Sequence, residues 1–150
     1  MWRQWLGLGL VAVYALVIAS DGSAVRDRNL AAALAYVNAR CPKSTVEIST
    51  GEWTAGVRFN ALYGNCLAGD GRDQHIWFFN GGRFIGSDTR EPFSSREIIG
   101  LWRDNRTMAF MYVLYRPNDP NCCPTGGGKV VRFRLVDSRV MRLDPMPKNR

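Results

Sequence analysis

From Tyr115 to Phe133 the sequence reads YRPNDPNCCPTGGGKVVRF, and this stretch constrains the fold more than any other. An apolar run leads into a loop, Arg116 to Gly128, with three prolines, three glycines and two adjacent cysteines, and an alternating run leaves it. A loop of that length inside a compact domain is usually functional, disordered or pinned by covalent bonds. The cysteines supply the pins, so the expectation is a loop clamped to the rest of the fold.

The disulfide candidates are Cys41, Cys66, Cys122 and Cys123, and four cysteines allow three connectivities. A bridge between Cys122 and Cys123 would close an eight-membered ring, against the spacing that relaxed disulfides need. Neighbours in an extended loop point in opposite directions, so one of the pair is expected to take Cys66 and the other Cys41, with the assignment left open. A bridge closing a loop of more than about fifty residues would stabilise by ~4 kcal/mol in the chain-entropy model. A competing reading sets Cys66, His75, Cys122 and Cys123 around zinc. The chain has no CxxC pair, and the expectation is no metal and no cofactor.

The amino terminus carries Arg3 and then an unbroken apolar run of fourteen residues, Leu6 to Ala19. That is short of the roughly 20 residues of an ordinary membrane span. Charge, apolar stretch and small-residue exits at Ala19 and Ala24 describe an export signal. Residues 1–24 are therefore read as a signal peptide or an uncleaved membrane anchor, and 25–150 as one disulfide-stabilised domain. An oxidising, extracytoplasmic compartment is where such cysteines pair.

Asp27 to Arg40 has Leu30, Leu34 and Val37 at helical spacing, and Cys41-Pro42 ends it. Beyond Ser44 short β-type runs are separated by Gly, Asn and Asp, beginning with Thr45–Ser49 and Trp53–Leu62. His75–Phe79 and Arg83–Ser87 flank Asn80-Gly81-Gly82, a tight hairpin turn. Arg96–Arg103 and Arg106–Tyr115 make a second hairpin through Asp104-Asn105, and Lys129–Val136 and Arg139–Asp144 a third through Asp137-Ser138. The expected fold is α+β, with one N-terminal helix packed on a curved antiparallel sheet of three successive hairpins and five to seven strands.

The chain has 20 Lys+Arg against 13 Asp+Glu, and seventeen of those cations are arginines. Such a balance favours anionic neighbours through long-range attraction. Arg132 and Arg134 on one side of the third hairpin, with Trp77 and Phe79 on an adjoining aromatic run, are the candidate anion or partner surface. No catalytic motif is present: GxSxG, HExxH and the phosphate-binding glycine loop are all missing. His75, the one histidine, could serve a small hydrolase of nuclease type with Asp70 or Asp73 to orient it. An inhibitor presenting the Cys122-Cys123 loop is a third possibility.

Four blocks in order, QHIWFFNGGRFIGSDT (Gln74–Thr89), DPNCCPTGG (Asp119–Gly127), VRFR (Val131–Arg134) and LDPMP (Leu143–Pro147), resemble the actinobacterial LppP/LprE lipoprotein family. The resemblance implies an exported envelope protein with a binding or structural role and no established enzymatic activity. This sequence lacks the lipobox cysteine of such proteins. The expectation is therefore a non-enzymatic envelope module for an anionic or amphiphilic component. Its partners would be an anionic envelope lipid or polymer or another envelope protein, with membrane association through residues 1–24 if uncleaved and no specific nucleic-acid partner.

Overall fold

The structure, a computed structural model, describes residues 22–41, 48–66, 73–91, 93–94, 97–120 and 122–148. The N-terminal apolar run, the start of the Thr45–Ser49 strand and the turn at Ala68–Gly71 lie outside those residues. The elements are helix α1 (Gly22–Asn38) and strands β1 (Ile48–Ser49), β2 (Phe59–Asn65), β3 (Asp73–Asn80), β4 (Arg83–Ser87), β5 (Phe93–Ser94), β6 (Ile98–Arg103), β7 (Thr107–Val113), β8 (Gly128–Val136) and β9 (Arg139–Arg142). The helix starts five residues ahead of the expected Asp27, because Ser23 to Arg28 contains no Gly or Pro to stop it.

All three expected hairpins form, but they do not share one sheet. The first belongs to a sheet in the order β1-β2-β3-β4, with β5 also pairing with β3; the second and third build a separate sheet in the order β6-β7-β8-β9. The single curved sheet is thus corrected to two antiparallel sheets within a broadly α+β fold. The physical reason is that β2 and β3 are apolar on both sides. Phe59, Ala61, Ile76 and Phe78 join Met108, Phe110, Tyr112, Val131 and Phe133 in a core between the sheets. Leu62, Trp77 and Phe79 join Ala33, Val37 and Cys41 in a second core beneath α1. A strand covered on both faces reads as a continuous apolar run, as Ile76-Trp77-Phe78-Phe79 does.

Trp53–Leu62 is only partly a strand. Trp53 and Val57 donate their N–H groups to the Thr50 and Thr54 carbonyls, and Asn60 Oδ1 accepts the Thr54 N–H at 2.8 Å, so this segment turns before β2 begins. The β8–β9 turn holds Asp137 and Ser138 at φ 46° and 64°. Positive φ at both central residues matches the right-handed twist of the strands it joins.

Strand directions give the molecule two poles. At one lie the β3–β4, β6–β7 and β8–β9 turns and the start of β2; at the other lie the end of β2, the end of β7 and the Leu114–Gly127 loop. Leu101, Trp102, Val130, Val136 and Met141, the large apolar side chains left exposed among the described residues, all belong to the β6–β9 sheet.

Candidate functional site

The expected disulfide pattern is corrected. Cys41 bonds to Cys66, and Cys122 bonds to Cys123. The end of α1 and the end of β2 meet at the same pole, where Cys41 and Cys66 are both buried in the helix-side core. Cys122 and Cys123 sit exposed in their loop. The zinc set is accordingly not assembled, since Cys66 and the adjacent pair have separate partners.

The loop is held by a residue that spacing did not single out. Asp119 accepts the Arg116 N–H (2.7 Å) and the Thr125 N–H (2.6 Å) on Oδ2, and the Thr125 hydroxyl (2.6 Å) on Oδ1. These bonds, the hydroxyl first, hold its carboxyl below the usual range. Leu114 and Gly127 then close the neck, with Leu114 N–H on the Gly127 carbonyl at 2.9 Å.

Asp70 and the side chain of Asp73, the aspartates expected to orient His75, lie outside the described residues; the partner described for His75 is Asp88. Nδ1 lies 3.4 Å from Asp88 Oδ1, with the His75 side chain 12% exposed and that of Asp88 fully buried. Asp88 also accepts the Ile76 N–H at 3.1 Å and the Tyr112 O–H at 2.7 Å. Ile76 is on β3 and Tyr112 on β7, so this carboxylate ties the two sheets together. Burial, then the Asp88 charge and the bond to it, push the Tyr112 phenol well up.

A second tie sits at the other pole. Arg103 of β6 donates to the Glu52 carbonyl (2.7 Å), Asn60 Oδ1 (3.3 Å) and the Phe59 carbonyl (2.5 Å). Burial raises the Glu52 carboxyl and lowers the Arg103 guanidinium, and each partly offsets the other by its charge.

The candidate surface is redrawn by the same packing. Trp77 and Phe79 are 5% and 0% exposed, so they line no surface; α1 lies over them, and the Phe79 ring meets those of Tyr36, Trp53 and Phe84. Arg132 is exposed but committed. Its Nε and Nη2 each lie 2.8 Å from an Asp144 oxygen, and its N–H adds a third bond at 2.9 Å. That fork holds the Asp144 carboxyl down at about 2.

Arg134 stands elsewhere and with better company. It lines an open groove of about 840 Å³ at the turn pole together with Arg58, Arg106, Asn105, Asp137 and Ser138. A smaller adjoining cleft shares Asn105, Arg106 and Arg134. Arg58 Nε donates to Asn80 Oδ1 (3.2 Å), Asn80 Nδ2 to Ser138 Oγ (3.3 Å), and Arg134 Nε to Thr107 Oγ1 (3.4 Å). Three cations from three separate segments are thereby arrayed over two sheets. Asp104, beside them, turns its carboxylate inward to the Arg106 and Thr107 N–H groups at 2.7 and 2.6 Å, and the Arg106 bond leads in holding its pKa down. Arg58 and Arg106 escaped sequence reading because they are far apart in the chain; their one signal is that Arg106 borders an expected turn at the same end as Asp137-Ser138.

Among the described residues no group of three or more His, Cys, Asp or Glu side chains is placed to hold a metal ion. None of their helices is long and apolar enough to cross a membrane, which says nothing of spanning strands. No curated protein and no solved structure matches the chain. A family described as LppP/LprE lipoprotein matches residues 40–138, about two thirds of the sequence and all of the groove. The chain therefore belongs to the LppP/LprE lipoprotein family.

Proposed function

We propose that this is an exported, non-enzymatic cell-envelope domain that holds an anionic ligand between Arg58, Arg106 and Arg134. The convergence of those three exposed arginines on one groove carries the reading. Guanidinium groups are weakly hydrated planar donors suited to phosphate and carboxylate. Family membership supports the envelope location. The binding of Asp88 by Tyr112 and Ile76 supports a structural role for the His75 pair over a catalytic one. An export exit after Ala19 would leave α1 whole, whereas one after Ala24 would remove its first residues.

Inorganic pyrophosphate is the probe. Titrated into isotopically labelled protein, it should shift the Asn105, Arg106 and Ser138 amides saturably. Changing Arg58, Arg106 and Arg134 together to Ser should weaken that binding at least about tenfold, on the order expected for lost charge-assisted bonds, while Arg132→Ser leaves it unchanged. Unsaturable shifts, or equal affinity in the triple variant, would sink the reading.

A further inference from the structure

The groove belongs to a larger feature. Arg28, Arg58, Arg83, Arg106, Arg134 and Arg139 are all exposed, and strand direction puts the last five at the turn pole. The acids described there are Asp104, bonded to turn amides, Asp137, and the half-buried Glu52, whose charge lies beside Arg103. At the opposite pole the cations Arg40, Arg90, Arg116 and Lys129 stand among Glu91, Glu97 and Asp119.

Helix α1 enters at the arginine-rich pole. Asn29 lies against Gly82 of the β3–β4 turn, where a Cβ would come within 3.1 Å of its Cα. Asn29 is seven residues into the helix, so at 1.5 Å per residue the helix begins about 10 Å before that contact along its axis. The opposite end of α1 is fixed at the other pole by Cys41–Cys66. The apolar run Leu6–Ala19 ends three positions before α1 begins. The chain therefore passes from its apolar segment into the fold at the end that carries the larger excess of exposed positive charge among the described residues.

We infer that the arginine pole seats on the anionic phospholipid surface of the membrane from which the chain emerges, with lipid phosphates in the groove of Arg58, Arg106 and Arg134. This rests on the anion-binding reading above and adds the source of the anion and the orientation of the domain. Each arginine near an anionic bilayer favours the docked state roughly fivefold, so removing three lowers the docking constant about a hundredfold. Screening makes the effect fall with salt.

The test is amide hydrogen exchange of the full chain on phosphatidylglycerol and on phosphatidylcholine vesicles. Phosphatidylglycerol alone should protect the β3–β4, β6–β7 and β8–β9 turns. The protection should vanish in Arg58→Ser/Arg106→Ser/Arg134→Ser and survive in Arg90→Ser/Arg116→Ser/Lys129→Ser, which loses the same charge from the opposite pole. Arg106→Ser alone, a single exposed change, should show a smaller loss in the same direction and guards against misfolding of the triple variant. Equal protection on both lipids, protection of the Leu114–Gly127 loop instead, or protection kept by the triple variant overturns the inference. If pyrophosphate shifts the groove amides while phosphatidylglycerol protects nothing, the anion site stands and the membrane seat falls. If neither binds, both fall.

Discussion

Tyr112→Phe isolates the bond that closes the sandwich at the loop pole. The ring stays, keeping the edge contact with Phe93 at 5.0 Å, so no cavity opens. What is lost is one O–H donated at 2.7 Å to a carboxylate whose side chain is fully buried. Asp88 keeps the Ile76 N–H at 3.1 Å and the more distant His75 nitrogen at 3.4 Å. A hydrogen bond to a charged group contributes about 1.5–3 kcal/mol. For a domain of this size roughly 4 °C of melting temperature follows each kcal/mol, so the midpoint should fall by about 6–12 °C at pH 7. Calorimetry with parallel urea titration reads it. The pH dependence carries a second check. The phenol is raised above its ordinary 10.0, so its stabilising contribution is complete below pH 10 and is lost as pH climbs toward the folded value. Phenylalanine has no such loss, so the gap between the two proteins should narrow above pH 10. A midpoint shift under about 2 °C, below the range for one hydrogen bond, would refute the tie, as would a gap that widens in alkali.

Cys41→Ser should cost roughly 3–4 kcal/mol in denaturant melts, because the bridge closes a loop of 25 residues, while serines at Cys122 and Cys123 should cost about 1 kcal/mol. The Asp144 carboxyl should titrate near 2 by NMR and return toward 3.8 in Arg132→Ala; its pairing is fully formed above 3.8 and lost as pH falls through 2. Gly126→Ala drives a methyl against the Leu114 carbonyl, backbone that cannot swing aside, and should lower urea stability by about 1–3 kcal/mol. Asp119→Ala should speed amide exchange at Arg116 and Thr125 by roughly fivefold to tenfold and leave the β7 and β8 amides unchanged.

Local pattern carried the secondary structure well. The helix face of Leu30, Leu34 and Val37 does lie toward a core, and all three hairpins turn at the expected residues. Layering was hidden for a specific reason. Alternation reports one wet face, but β2 and β3 have none, so Ile76 to Phe79 carries no information on how many layers surround it. The cysteine pairing was misread because spacing says nothing about which ends meet, and the meeting of α1 with β2 is a tertiary event. Of the proposed surface, Arg134 remains. Arg132 is taken by Asp144, twelve residues away on the far side of a turn, and Trp77 and Phe79 are covered by the helix. Arg58 and Arg106 share a groove with Arg134 only because alternate hairpin turns return to one end, which is a property of topology and not of any short motif.

The sulfur bridge at the far end of α1 also decides how the domain carries load. A pull on the chain ahead of Gly22 runs along the helix and is handed at Cys41 to the end of β2, across the bridge. The 17 residues of α1 would lengthen from about 25 Å as helix to about 56 Å as extended chain if they peeled from the sheet, at the usual rises of 1.5 and 3.3 Å per residue. The two sheets stay tied at Asp88 and Arg103 while this happens, since neither tie includes a helix residue. The bridge thus sets a covalent limit, at Cys41, to how far unwinding of α1 can reach into the fold.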